Sequence, residues 1–117
     1  MRHHNRNKKF GRETDVRSAL MRSLARALII EGRIMTTAAK AKALRPYVER
    51  LVTLGRNNTV AARRLLTARL GGRAPEAKKL VDEISPKYTD RPGGYTRVVK
   101  HAPRKSDGAP MATIEFV

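Results

Sequence analysis

The sequence predicts an α+β fold: about four helices packed on a small three-stranded sheet, with a basic N-terminal arm. Three observations carry that expectation. Between Thr14 and Ile84 the apolar residues recur at helical spacing. Residues suited to capping helix starts, and glycines suited to ending helices, punctuate the same stretch. In the tail the period shortens, and Met111–Val117 alternates with Ala112, Ile114 and Phe116 on one face.

The first helix is expected to start at a cap on Thr14 or Asp15 and to run to about Gly32. At helical spacing Leu20, Leu24, Ala27 and Leu28 share a face, with Arg22, Arg26 and Arg33 roughly opposite. Arg33–Thr37, RIMTT, is β-branched enough for a short strand. Thr36 or Thr37 then caps a second helix through about Arg56, with Leu44, Val48, Leu51 and Val52 in one phase. Pro46 inside that phase predicts a kink or a local break.

Thr59 caps a third helix whose apolar positions are Val60, Leu65, Leu66 and Leu70, and Gly71-Gly72 ends it. A fourth begins near Pro75, turns Leu80, Val81 and Ile84 inward, and is stopped by Pro86. Tyr95–His101 and Met111–Val117 complete the sheet around a turn-rich basic loop, Ala102–Pro110. Residues 1–12 read as the arm and residues 13–117 as one α+β domain without internal repeats.

Charge narrows the function. The chain carries 26 Lys and Arg against 10 Asp and Glu, a net +16 over 117 residues. A small soluble domain needs only about 2–8 units of charge. The surplus repels itself in the folded state, and a polyanionic partner relieves it. An apolar fraction of 40% allows a packed core, so this is not a disordered basic tail. Aromatics at 4% argue against a protein that grips single strands by ring stacking.

The absence of Cys excludes disulfides and thiolate metal sites and suits a reducing cytoplasm. No apolar run approaches ~18 residues, so no membrane span is expected. Arg22 and Arg26 interrupt the stretch a secretion signal would need. Residues 16–30 are Arg-rich and amphipathic enough to imitate a mitochondrial transit peptide, but they fit the helical pattern of the rest.

Catalytic patterns are missing. His3, His4 and His101 lack metal-ligand spacing, Gly93-Gly94 after Pro92 reads as a turn, and no Ser sits in a nucleophile elbow. No enzyme activity, cofactor, metal or small-molecule substrate is expected.

Binding residues are plentiful. Arg2, His3, His4, Arg6, Lys8, Lys9 and Arg12 form an arm suited to ordering against nucleic acid, a reading the rest of the chain favours over a frayed terminus. Arg17, Arg22 and Arg26 come from the first helix and Arg33 from the strand. Lys40 and Lys42 lie in the first turns of the second helix, where free N–H groups favour phosphate, and Arg45 follows. Arg63-Arg64, Lys78-Lys79, Arg97 and Arg104-Lys105 are spread elsewhere. A duplex reader concentrates charge on one recognition element. Charge on nearly every element suggests embedding in a large folded RNA, read by shape and backbone.

At these residues the chain resembles a known family, the bacterial large-subunit ribosomal protein usually numbered seventeen. The start MRH, IMTTAAKAKALRPYVERLVTL at 34–54, KYTDRPGGYTR at 87–97 and the closing MATIEFV carry the resemblance over nearly the whole chain. It implies a structural role in the cytoplasmic ribosome, bound to large-subunit rRNA near the solvent side of the exit tunnel. It also implies neighbours among large-subunit proteins, those numbered thirty-two and twenty-two, and no homo-oligomer. Carried over as rRNA-facing are the arm, Thr36, Thr37, Lys40, Lys42 and Arg45, and the turn of Gly93, Gly94, Tyr95 and Arg97. The chain departs from the family pattern at NRNKKFGRETDVR and at RKSDGAP. The rivals are a DNA-binding architectural protein, which would need a dimer interface and a charge-rich recognition helix, and an RNA-processing enzyme, which would need a His, Glu or Lys cluster.

Overall fold

Gly32 decides how the chain leaves its first helix. The computed structural model describes residues 14–117, and α1 spans Thr14–Glu31. Gly32 then takes φ +80° and returns its N–H to the Leu28 carbonyl at 2.8 Å. That left-handed turn suits glycine, which has no Cβ to clash. It delivers the chain into β1, Arg33–Thr37.

Thr37 ends the strand and starts the next helix. Its backbone is extended and its side-chain oxygen accepts the Lys40 N–H at 3.4 Å, capping α2, Ala38–Gly55. Of the two outcomes expected at Pro46, the local break does not occur: α2 continues through it, in keeping with the unbroken apolar phase. Pro46 and Lys42, whose carbonyl loses its helical partner, are both exposed residues. Ala41, Leu44, Val48, Leu51 and Val52 on the other side are all buried, which makes α2 the centre of the core.

Thr59 caps α3, Val60–Arg69, by accepting the Ala62 N–H at 3.1 Å. Ala62, Leu66 and Leu70 face the core, whereas Val60 and Leu65 are exposed. This corrects the expected inward set. The buried line follows i, i+4, i+8 from Ala62, and Leu65 lies about 100° round the helix from Leu66.

Helix α4, Ala74–Lys79, has Pro75 in its first turn. Pro86 does not stop the chain that follows. The helix widens into a π turn over Leu80–Ile84, closed by the Ser85 N–H on the Leu80 carbonyl, then tightens into a 3₁₀ turn over Ser85–Tyr88. Pro86 falls in the first positions of that turn, where a missing N–H costs nothing. The change of pitch keeps Leu80, Val81, Ile84, Ser85 and Tyr88 all buried.

Strands β2, Thr96–His101, and β3, Met111–Phe116, complete an antiparallel sheet of order β1-β3-β2. Arg33 and Arg97 both pair with Glu115, and Thr37 and His101 both pair with Met111. Alternation turns Ala112 and Ile114 into the core with Ile34 and Val98, under α2. The four helices and three strands match the expected α+β architecture.

Candidate nucleic-acid interface

Arg2, His3, His4, Arg6, Lys8, Lys9 and Arg12 lie outside the described residues. Of the others, the sheet register separates most into two groups. One end of the sheet carries Thr36, Thr37, Lys40 and Lys42 together with the 102–110 loop, because the Ala38 N–H bonds to the Pro110 carbonyl at 2.9 Å. The other end carries Arg33, Arg97, Gly93 and Gly94. The expected residues therefore do not form one patch.

Several expected phosphate ligands already have a protein partner. Arg97 pairs with Glu115 at 2.6 Å across the outer face of the sheet. Arg45 lies 3.7 Å from Glu49. Arg104 holds Asp107 through two bonds, at 2.7 and 3.0 Å, and folds the loop onto itself. Those bonds, with the Ala109 N–H, lower the Asp107 carboxyl from 3.8 to about 2, while the same pairing raises Arg104 above its ordinary value. Such exposed pairs are worth little to the fold. Each guanidinium keeps further donors for a phosphate. Lys42 and Lys105 are exposed.

Arg17 donates to Thr14 Oγ1 at 2.9 Å, which ties it to the start of α1. Arg22 and Arg26 do not lie opposite the buried face of α1, as their spacing had suggested. Ala25, Leu28 and Ile29 form that face, and the two arginines border it, partly buried. They meet the end of α3: a Cβ placed on Gly71 would sit 3.5 Å from both Arg22 Nε and Arg26 Nη1.

Tyr95 also departs from expectation. Its side chain is fully buried, and its ring packs on Tyr88 with centroids 5.0 Å apart. That leaves the turn's backbone, Gly93 and Gly94, on the surface side. The Tyr95 hydroxyl donates to the Arg91 carbonyl at 3.0 Å and accepts from Arg56 Nη1 at 3.2 Å. Arg56 also donates to the carbonyls of Thr89 and Arg91, both at 2.8 Å. From the other side, Glu49 accepts from the Thr96 backbone and hydroxyl at 3.3 and 3.1 Å. The TDRPGGYT segment is thus fastened to α2 at both ends.

The sequence offered no signal that Arg56 has this role, because its carbonyl partners lie more than thirty residues away. Two further cations serve the fold. Arg63 binds Asp82 at 2.6 Å, and Lys79 caps the Ile30 carbonyl at 2.9 Å. Among the described residues no group of three or more His, Cys, Asp or Glu could hold a metal ion, and no helix is long and apolar enough to cross a membrane.

Cations on nearly every described element, β3 excepted, surround one small core, as suits a polyanionic partner. Comparison with known proteins makes this specific. Residues 20–117 match the family described as Ribosomal protein L17. The chain is 51% identical over 117 residues to "Large ribosomal subunit protein bL17" of Thermomicrobium roseum, covering 100% of this chain and 99% of that one. Proteins of the same name from Persephonella marina and Gemmatimonas aurantiaca are 54% and 49% identical, over 100% of this chain and 95% and 98% of theirs. The chain belongs to the ribosomal protein L17 family.

Proposed function

We propose that this chain is held in the large ribosomal subunit by rRNA, whose phosphates are neutralised by Arg and Lys on the arm, the helix faces and the sheet ends. Membership of the family makes it a structural constituent of the ribosome and not an enzyme. The observation that supports the rRNA reading best is the division of the candidate residues between opposite ends of the sheet and a third place at Gly71. A single duplex groove does not reach all three, whereas a folded RNA enclosing the protein does. In this reading the fixed core presents preset cations, and the arm orders as it enters the RNA. The site is in the cytoplasmic ribosome, near the solvent side of the exit tunnel, beside the proteins numbered thirty-two and twenty-two.

The test is the affinity of the full chain for transcribed large-subunit rRNA and for duplex DNA over a range of salt. We expect preference for the rRNA and a linear fall of log affinity with log salt, by roughly 0.7–0.9 per phosphate contact. Equal or stronger binding to duplex DNA overturns the reading in favour of an architectural DNA-binding protein.

A further inference from the structure

We propose that Arg22, Arg26, Arg50 and Arg69, brought from three helices to the surroundings of Tyr47 and Gly71, form one discrete site for a phosphodiester group of RNA. This deepens the rRNA reading and rests on it.

Position comes first. Arg22 Nε and Arg26 Nη1 each approach within 3.5 Å of the point where a Gly71 Cβ would lie. Tyr47, on α2 one turn before Arg50, donates its hydroxyl to the Arg69 carbonyl at 3.2 Å. Burial holds that hydroxyl protonated above its ordinary range, against the opposing pull of Arg22, Arg69 and Arg50 in that order. Arg50 follows Tyr47 by one turn of α2, and Arg69 at the end of α3 holds the Tyr47 hydroxyl through its carbonyl, while Arg22 and Arg26 of α1 lie over neighbouring Gly71.

The local fold does not account for this convergence. The end of α3 needs no capping arginine, because Gly71 and Gly72 return their N–H groups to the Ala68 and Thr67 carbonyls at 3.1 and 2.8 Å. The Arg69 carbonyl is taken by Tyr47. None of the four arginines joins an ion pair among the described residues. Their guanidinium bonding there amounts to one 3.5 Å contact, from Arg26 to Ser23 Oγ. Like charges gathered without a carboxylate repel one another, and the negative end of the α3 dipole offsets only part of that. An anion with several acceptor oxygens satisfies the donors and the charge together. Gly71, with no side chain, brings its backbone directly beneath Arg22 and Arg26.

The experiment is a double-mutant cycle on rRNA binding by the full chain, using Arg22→Gln, Arg50→Gln and the pair, with Lys87→Gln as an off-site loss of one charge. Each on-site single is expected to weaken binding by about tenfold. The pair should weaken it by clearly less than the product of the singles, because the two share one ligand. The slope of log affinity on log salt should fall by about one unit for the pair as a whole. Lys87→Gln should leave that slope unchanged.

Independent losses that multiply, or an on-site effect no larger than that of Lys87→Gln, overturn the site. Arg50 and Arg69 are exposed, so Arg50→Gln with Arg69→Gln gives the same test in a folded protein should Arg22→Gln unfold. Wild-type protein that does not bind rRNA overturns the broader reading instead, which separates the two failures.

Discussion

The Arg56 guanidinium donates to the Tyr95 hydroxyl at 3.2 Å while the same group reaches the carbonyls of Thr89 and Arg91 at 2.8 Å. One planar head thereby fixes both the core tyrosine and the backbone of the turn before it. A Lys at this position has one point of charge and cannot reproduce the fork. Arg56→Lys is expected to lower stability by about 1–2 kcal/mol, read by urea unfolding. Tyr95→Phe should cost a similar amount, and the double variant less than the sum, because the two share bonds. Strict additivity would show that the shared bonds carry no energy.

Gly55 packs against Ser85 so closely that a Cβ there would lie 2.5 Å from Ser85 Oγ. Ser85 is buried and donates to the Val52 carbonyl at 3.0 Å. Gly55→Ala must push Ser85 off this bond, and it is expected to cost about 1–3 kcal/mol in thermal or chemical unfolding. Ser85→Ala removes the clashing oxygen, so adding it to Gly55→Ala should recover part of the loss. No recovery would show that the clash lies elsewhere.

These two contacts mark what the sequence could and could not show. Local signals were readable: the caps at Thr37 and Thr59, the turn at Gly32, and the phase of Leu44, Val48, Leu51 and Val52 depend on neighbours within a turn or two. The hinge of pitch before Pro86 was not readable, since a proline ends an α-helix but opens a 3₁₀ turn equally well. The core place of Tyr95 was hidden because its partners, Thr53, Arg56 and Tyr88, are remote or on another element. Among the candidate cations, sequence gave the charge but not the partner. The partner of Arg97, Glu115, lies on another strand, whereas Asp107 sits within the same loop as Arg104 but pairs with it only once the loop folds back.

The Asp107 carboxyl offers a test of the loop. Its folded value is depressed to about 2 by the Arg104 bonds and the Ala109 N–H. The support it gives the loop is therefore present above its ordinary value of 3.8 and is lost as pH falls through about 2. A carbon-detected NMR titration should place the Asp107 midpoint near 2, and Arg104→Gln should raise it toward the ordinary range. An unshifted midpoint in the wild type would mean that the loop is open in solution.

Thr37 and Thr59 cap helices through the same kind of bond, to the N–H groups of Lys40 and Ala62. Thr37→Ala and Thr59→Ala are each expected to cost about 1 kcal/mol, with Ser at either position retaining most of the stability. Calorimetric melting checks this. A Thr37→Ser variant as unstable as Thr37→Ala would assign the loss to the methyl group instead of the cap.

The most direct test of the central claim is sedimentation of a cell lysate through sucrose gradients at low and moderately high salt, with detection of this chain. A protein held inside folded rRNA by many phosphate contacts should travel with the large subunit and remain there through the salt wash. A chain that runs free, or with nucleoid DNA, would contradict the account.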